Sequence, residues 1–277
     1  MPKKAIRFMI ISAFAFALLN VFVKKLYEFN VYQIVFFRSV GTLLFTVPFI
    51  IRNKIPILGN KKVLLISRGV VGFVAMTLFF VSLKHLSMGS SVSIRYISPI
   101  FAAIFALILL KENIKYIQWL CFALAFLGVA ILKGFDAQMN TIGLIYALIS
   151  AVLTGLVFII IRKIGTNDHP QVVVNYFMVI SAILGGVLSI SNWINPEGWQ
   201  WLVLLGLGVF GYFGQLYMTK AFQETEINQV APLKYIEVIF TMIIGAIWLD
   251  EIYGFWSLFG ILLIILGLTF NVFVKRK

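Results

Sequence analysis

Two segments that lie 139 positions apart in the chain decide its architecture. The first, "SIRYISPIFAAIFALILLKE", covers residues 93–112, and the second, "PLKYIEVIFTMIIGAIWLDE", covers residues 232–251. Each contains a cation followed by Tyr-Ile, Arg95 in the first and Lys234 in the second, and each ends in Leu-x-Glu after a long apolar run. The same register aligns "GVVGF" with "GVFGY" earlier in each half of the chain. Separated matches in one register predict an internal duplication.

The composition indicates a membrane protein with many spans. The 277 residues are 61% hydrophobic and have a mean hydropathy of +1.02, whereas soluble domains are about 45–50% apolar. A spanning helix needs about 20 mostly apolar residues, and the runs here are apolar on all sides, unlike the alternating strands of a membrane barrel. We therefore predict an all-α integral membrane protein with ten transmembrane helices, at 5–23, 32–51, 63–83, 90–110, 116–133, 141–161, 172–191, 200–219, 229–249 and 254–274.

The duplication divides these ten helices into two groups of five. We predict one repeat over residues 1–135 and a second over residues 136–277. Because five is an odd number, the second repeat must enter the membrane upside down relative to the first. Inverted repeats are typical of secondary transporters, whose substrate sites lie near the membrane midplane between the repeats.

The distribution of basic residues predicts the orientation of the chain. The net charge is +13, and fifteen Lys and Arg fall on the amino-terminal side of the membrane against four on the opposite side. Cytoplasmic loops of membrane proteins carry an excess of positive charge. We therefore predict an inner-membrane protein with both termini in the cytoplasm. We expect these charges to face the lipid bilayer and not a nucleic acid. The one cysteine, Cys121, lies in an apolar run, and the sequence indicates no disulfide, metal site or cofactor.

Four cations remain inside the predicted helices, namely Arg38, Arg68, Arg95 and Lys234. A charge at mid-bilayer costs about 2.5–3.5 kcal/mol on insertion scales, so each needs a partner, water or a ligand. Arg68 is near enough to the cytoplasmic end of its helix to reach the interface by snorkelling. Arg38 is deeper, and we count it among the substrate-binding candidates with an architectural role as the alternative. Arg95 and Lys234 occupy equivalent positions in the two repeats, so we predict that both bind substrate.

Other polar residues inside the helices complete the predicted site. Glu237 is the only carboxylate deep in a predicted helix and follows Lys234 by about one turn. It either neutralises Lys234 in a local ion pair or binds a coupling proton during transport. Neutral polar groups offer hydrogen bonds to a substrate, with helix–helix hydrogen bonding as their alternative role. The remaining predicted substrate-binding residues are Tyr96, Tyr235, Asn20, Asn175, Tyr176, Tyr212 and Gln215.

Several motifs, in order along the chain, resemble one transporter family. They are "FFRSVG" around Arg38, "SPIF" at 98–101, "YIEVIF" at 235–240 and the endings "LLKE" and "WLDE", and they resemble the drug/metabolite transporter superfamily, EamA type. The resemblance implies a ten-helix carrier of small organic metabolites and an architectural role for the arginine at Arg38. "RGVVGF" at 68–73 looks like a subgroup that includes S-adenosylmethionine carriers. Two positions depart from the family pattern: Arg95, where relatives have a small or polar residue, and Val238, where a proline is usual.

The sequence thus predicts a secondary transporter and not an enzyme. Four buried cations against one buried carboxylate favour a small metabolite with a carboxylate or phosphate, such as an amino acid or a nucleotide-derived metabolite, moved by alternating access. Protons are the candidate coupling ion, and the protein is a monomer or a homodimer. A broad-specificity drug exporter of the same family is one alternative. A membrane-embedded enzyme acting on lipid-linked substrates is another, which the missing His/Asp/Glu cluster disfavours.

Overall fold

The structure is a computed structural model that describes residues 3–110, 116–135, 140–224 and 236–276. The described residues form helices and short turns, with no strand among them. The helices are α1 Lys3–Lys25, α2 Val31–Arg52, α3 Lys62–His85, α4 Met88–Arg95, α5 Ser98–Leu110, α6 Tyr116–Phe135, α7 Thr141–Ile164, α8 Pro170–Ser189, α9 Gln200–Glu224, α10 Ile236–Trp248 and α11 Phe255–Arg276.

The helices match the predicted all-α membrane architecture. Seven segments of the described chain are long and apolar enough to cross a membrane, and three shorter apolar helices accompany them. The seven lie in α1, α2, α3, the α4–α5 pair, α7, α8 and α9, and the shorter ones in α6, α10 and α11. The predicted run at 229–249 begins outside the described residues, and α10 covers its later part.

The fourth span is divided into two helices. α4 ends at Arg95, α5 starts at Ser98, and Tyr96 and Ile97 form the turn between them. Pro99 follows as the second residue of α5, and a proline has no N–H to donate and disfavours a helical conformation in the residue before it. The break places Arg95 at the carboxyl end of α4, where the helix dipole favours a positive charge.

The helices pack in pairs that the repeat relates to each other. Helices α1 to α6 form the first five spans, and α7 to α11 form the second five. The repeat makes α7 equivalent to α1, α8 to α2 and α9 to α3. α1 packs against α9, and correspondingly α7 packs against α3. In the same way α2 packs against α9, and α8 packs against α3. Equivalent helices also meet directly, α2 with α8, α4 with α10 and α6 with α11. Exchanging the two halves therefore leaves these pairings unchanged, as a two-fold axis between inverted repeats requires.

Glycines allow paired helices to approach closely. A Cβ on Gly41 of α2 would lie 2.6 Å from the Cα of Gly208 in α9. A Cβ on Gly128 of α6 would lie 2.6 Å from the carbonyl oxygen of Gly260 in α11. Lipid tails are as apolar as the helix surfaces, so helix association in a membrane depends on this kind of close packing. Cys121 is buried in the same helix as Gly128, as expected for an unreactive thiol.

The loops collect on two opposite faces of the helix bundle. The face on which α1 begins, here called the terminal face, carries the loops at 53–61 and 165–169. There the carboxylate of Asp168 accepts hydrogen bonds from the backbone N–H groups of Asn60 and Lys61. The single carboxylate thus joins a loop of the first repeat to a loop of the second.

The opposite face, here called the distal face, carries the loops at 26–30, 86–87, 190–199 and 249–254. Lys84 donates to the carbonyl oxygen of Tyr27 at 2.6 Å. The side-chain amide of Gln33 donates to the carbonyl oxygen of Ile194 at 2.6 Å. These bonds place the loop after α1, the start of α2, the end of α3 and the loop after α8 on one side of the molecule.

Candidate functional site

A cavity of about 110 Å³ lies between the two repeats. Side chains from α1, α2, α3, α4, α5, α7, α8 and α9, together with Tyr96, line it. Arg68, Ile161 and Met218 lie in the parts of their helices that lead to the terminal face, so the cavity occupies that side of the bundle. A mainly apolar wall with a few convergent polar groups is typical of small-molecule sites. The polar lining residues are Asn20, Arg38, Arg68, Arg95, Tyr96, Ser98, Thr154 and Gln215.

Glu237 lies behind the cavity wall near the start of α10 and is fully buried. Its Oε1 accepts hydrogen bonds from Nη2 of Arg95 at 3.2 Å and from Nδ2 of Asn20 at 3.3 Å. The hydroxyl of Tyr96 donates to its Oε2. A buried carboxylate is tolerated only when it is paired and hydrogen-bonded in this way. The ion pair joins α4 to α10, which are equivalent helices of the two repeats.

Arg38 and Arg68 have no carboxylate partner among the described residues. Each is only 4% exposed. Nε of Arg38 and both Nε and Nη1 of Arg68 have no acceptor in the described structure. The guanidinium of Arg38 contacts the sulfur of Met76, which is a weak acceptor. Because a buried donor without an acceptor costs about 1–3 kcal/mol, and more when it is charged, these two side chains are poorly compensated.

Aromatic rings contact all three cavity arginines. The guanidinium carbons lie 3.7 Å from the ring centroid of Phe79 for Arg95, 4.1 Å from that of Phe177 for Arg68, and 5.5 Å from that of Phe80 for Arg38. A ring face attracts a cation without neutralising its charge. The three arginines and Glu237 therefore leave a formal charge of +2 at the described cavity. Guanidinium groups bind carboxylates and phosphates through two parallel hydrogen bonds, so this arrangement is suited to an anion.

A second charged cluster closes the distal face. Glu251 forms an ion pair with Lys24, and both of its oxygens lie 3.0 Å from the backbone nitrogen of Met88, the first residue of α4. The hydroxyl of Tyr253 also donates to Glu251; burial raises the pKa of this phenol above its usual value, so the hydroxyl remains a donor. Lys24 donates in addition to the carbonyl oxygen of Leu86 at 2.9 Å. We call these five residues the distal clamp.

The turn after α10 places Glu251 in the clamp. The carbonyl oxygen of Gly245 accepts hydrogen bonds from the N–H groups of Leu249 and Glu251, both at 3.1 Å. Asp250 between them has a φ of 51°. Asp250 thus ends the helix in the left-handed region, a conformation that Asp adopts more readily than most side chains. The "LDE" ending noted in the sequence thus turns its carboxylate back towards α4.

The structure brings half of the predicted substrate-binding residues to the cavity. Asn20, Arg38, Arg95, Tyr96 and Gln215 line it. Arg95 lines the cavity and pairs with Glu237 in this structure, and its role in substrate binding stays a prediction. Lys234 and Tyr235 lie outside the described residues, so their roles, and the local pairing of Lys234 with Glu237, stay predictions.

Three predicted residues lie away from the cavity. Asn175 accepts a hydrogen bond from Thr46 of α2 at 3.2 Å. Tyr176 donates to the carbonyl oxygen of Leu58 in a terminal-face loop at 2.7 Å. The ring of Tyr212 stacks on that of Phe45 with centroids 5.0 Å apart. These side chains make the interhelical and loop contacts that were the alternative to substrate binding.

Arg68 is the residue that sequence reasoning missed. Snorkelling is wrong for it, because the side chain is buried against Phe177 and lines the cavity. Gly72, one helical turn later, is the feature of the sequence that could have revealed this role. A Cβ at Gly72 would overlap Nη1 of Arg68. The spacing Arg-x-x-x-Gly leaves room for a guanidinium group on the inner face of α3.

Comparison with known proteins gives consistent matches over the whole chain. The model of the EamA-like transporter family matches twice, over residues 3–133 and 141–273. Solute carrier family 35 member G1 of Homo sapiens is 29% identical, with 95% of this chain and 77% of that protein covered. The pseudopaline exporter CntI of Pseudomonas aeruginosa is 28% identical, with 92% and 88% covered. The S-adenosylmethionine uptake transporter of Rickettsia prowazekii is 23% identical, with 89% and 84% covered.

A solved crystal structure of a protein shares the fold. It superposes with a TM-score of 0.70 and covers 98% of both chains, at 13% sequence identity. The arrangement of helices therefore extends well beyond detectable sequence similarity.

Proposed function

The chain belongs to the EamA-like transporter family, and from that membership we propose that it carries a small metabolite with a carboxylate or phosphate group across the inner membrane. It is a multi-pass membrane transporter. The names of its relatives describe an exporter of pseudopaline and an uptake transporter for S-adenosylmethionine. A small molecule is thus the cargo in both cases, and the two act in opposite directions.

One observation carries the proposed substrate class: Arg38 and Arg68 face the cavity without a carboxylate partner in the described chain. An anion in the cavity would accept the hydrogen bonds that these buried guanidinium groups lack. Hydrogen bonds to charged groups are worth about 1.5–3 kcal/mol each. A broad exporter of amphipathic drugs has no comparable need for two such groups, so the alternative function is disfavoured.

The position of the cavity supports a mechanism of alternating access. The cavity lies on the terminal side of the bundle, and the distal clamp closes the other side. If both termini are cytoplasmic, as the charge distribution predicts, this conformation receives substrate from the cytoplasm. Ligand pockets generally measure roughly 300–1,000 Å³, so the helices around the 110 Å³ cavity must separate to admit a metabolite.

We assign the coupling proton to Glu237. The groups that face it are Arg95 and Tyr96 from the fourth span and Asn20 from α1. A substrate anion that attracts Arg95 would take away the counter-charge of Glu237 and favour its protonation. The neutralised carboxyl group could then remain buried while the protein changes conformation.

Thermal unfolding of the purified protein tests the substrate class. The probes are a panel of metabolites bearing carboxylate or phosphate groups and their neutral amides or dephosphorylated analogues. A ligand at 100 times its Kd adds about 2.7 kcal/mol to stability, so a cognate acidic compound should raise the unfolding temperature. Replacing Arg68→Met should raise the unfolding temperature of the ligand-free protein, because an apolar chain replaces an unpaired buried charge. The same variant should lose the response to acidic compounds.

Two variants complete this experiment. Arg38→Met should lose the same response, and it serves if Arg68→Met does not fold. Arg52→Met changes an exposed arginine at the end of α2 and should leave both the unfolding temperature and the response unchanged. The proposal is rejected if Arg68→Met and Arg38→Met still respond to acidic metabolites, or if only neutral compounds stabilise the parent protein.

A further inference from the structure

Helix α4 is held at both ends by carboxylates from the α10 region. At its amino end, the N–H of Met88 lies 3.0 Å from both oxygens of Glu251. At its carboxyl end, Arg95 pairs with Glu237 at 3.2 Å. The helix is eight residues long, or about 12 Å at 1.5 Å per residue. A single short helix thus connects the cavity to the closure of the distal face.

Both carboxylates belong to one structural unit. Glu237 is the second residue of α10, and the hydrogen-bonded turn after that helix holds Glu251. A Cβ on Gly245 of α10 would lie 2.8 Å from Oε2 of Glu251, so the carboxylate folds back closely against α10 at this glycine. Because α10 spaces the two carboxylates rigidly, α4 satisfies both only in one position along α10.

The side chains of α4 carry a second and independent observation. Ser91 and Ser93 are fully buried, and neither hydroxyl has a hydrogen-bond partner in the described structure. Buried polar groups in folded proteins are nearly always hydrogen-bonded, so each exception calls for an explanation. Hydroxyls that lack partners in this conformation gain water if α4 moves and its surface becomes solvent-lined.

We propose that α4 is a latch that couples the cavity to the distal face: release of Arg95 from Glu237 lets α4 tilt, and the tilt opens the distal clamp. The latch builds on the alternating access proposed above. A substrate anion that binds Arg95, or a proton on Glu237, frees the inner end of the helix. An eight-residue helix moves as a rigid rod, so its outer end then leaves Glu251. A depression of about 250 Å³, lined by Lys24 and Glu251 among others, lies on the outer side of the clamp.

Cysteine labelling in intact cells tests the latch without requiring that the substrate be identified. The parent carries Cys121→Ala to remove the native thiol and Ser91→Cys as the reporter on α4. A membrane-impermeant maleimide is added outside the cells, and the labelling rate is measured. Asn195→Cys in a distal loop and Asn53→Cys on the terminal face verify, in separate strains, which face the reagent reaches.

Removal of either carboxylate should expose the reporter. We expect Glu251→Gln and Glu237→Gln each to raise the labelling rate of Ser91→Cys by about tenfold, which corresponds to about 1.4 kcal/mol in the closing equilibrium. Glu197→Gln, a change of the same kind at an exposed distal residue, should leave the rate unchanged. Ser93→Cys is a second reporter in case Ser91→Cys does not fold.

The outcomes separate the latch from the proposed function. If Glu251→Gln leaves both reporters unlabelled in folded protein while Asn195→Cys reacts, Glu251 does not hold the distal face closed. If Glu251→Gln accelerates labelling and Glu237→Gln does not, the two ends of α4 are not coupled and the latch is rejected. Accelerated labelling by both variants in a protein that binds no acidic metabolite would support the latch and reject only the substrate class.

Discussion

The charged residues at the cavity are neutralised to very different extents. Glu237 gives its two oxygens to Arg95, Tyr96 and Asn20, while Arg38 and Arg68 lack any carboxylate in the described chain. An unpaired buried charge lowers stability, so we expect Arg38 and Arg68 to bind the anionic substrate proposed above. Arg95, by contrast, has its counter-charge supplied by the protein and can exchange it for a ligand.

Glu237→Gln tests the coupling role at the residue scale. Glutamine has the shape of the protonated carboxyl group and keeps hydrogen-bonding capacity for Tyr96 and Asn20, but it cannot lose a proton. In proteoliposomes we expect exchange of a cognate acidic substrate across the membrane to persist, while accumulation driven by a pH gradient is lost. The pH dependence of exchange should also flatten.

The control for this variant is Glu197→Gln, which alters an exposed carboxylate far from the cavity. It should accumulate substrate as the parent does. Accumulation by Glu237→Gln under a pH gradient would contradict the coupling role and leave Glu237 as the static partner of Arg95.

The sequence predicted that Arg38 and Glu237 lie inside the helix bundle, as they do, but not how the charged residues pair. Arg95 and Glu237 stand 142 positions apart, and only the packing of α4 against α10 brings them together. The local partner Lys234 was the only one that sequence spacing could suggest. The snorkelling assigned to Arg68 was wrong for a related reason. Its position near the end of α3 does not reveal that α8 covers this end of the helix, where Phe177 contacts the guanidinium.

At the scale of elements, the broken fourth span places Arg95 and Tyr96 beside both the cavity and Glu237. Pro99 stands four residues after Arg95 in the sequence, and a proline favours a break in the helix because it has no N–H to donate. The close crossing of α2 and α9 could not be read in the same way. Glycines occur throughout the chain, and only the three-dimensional pairing shows that Gly41 meets Gly208.

Gly41→Ala tests that crossing. A Cβ at this position would lie 2.6 Å from the backbone of Gly208, so the two helices must move apart. Overpacking of this kind costs about 1–3 kcal/mol, and 1 kcal/mol shifts the unfolding temperature by about 2–4 °C in proteins of 150–250 residues. We expect the unfolding temperature in detergent to fall by several degrees.

Gly254→Ala is the matched control for Gly41→Ala. A Cβ at Gly254 would have no neighbour within 4 Å, so its unfolding temperature should equal that of the parent. Equal unfolding temperatures for both variants would show that α2 and α9 accommodate the methyl group and do not depend on this contact.

At the scale of the whole molecule, one symmetry operation organises the fold. The repeat in the sequence predicted two equivalent halves, and the helix pairings exchange with each other when the halves are exchanged. The charged residues at the cavity break this symmetry. Glu237 is equivalent to Ser98 at the 139-residue offset, and Arg38 to Phe177. Duplication therefore supplies the scaffold, whereas single substitutions in one half supply the carboxylate and the arginine.

The inverted arrangement leads to a prediction about topology. Each half contributes five spans, so the end of the first half and the end of the chain must lie on opposite sides of the membrane. Asp136 itself lies outside the described residues, but the nearby start of α7 is at the distal face, because a Cβ on Gly143 would lie 2.7 Å from the Cβ of His85.

Reporter fusions after Asp136 and after Lys277 should therefore report opposite compartments. Lys277 should lie in the cytoplasm because the terminal face carries most of the positive charge. A further fusion in the loop at 190–199 should agree with the one after Asp136. If the fusions after Asp136 and Lys277 reported the same compartment, one half would have an even number of spans, and neither the inverted repeat nor a cavity shared by its two halves could hold.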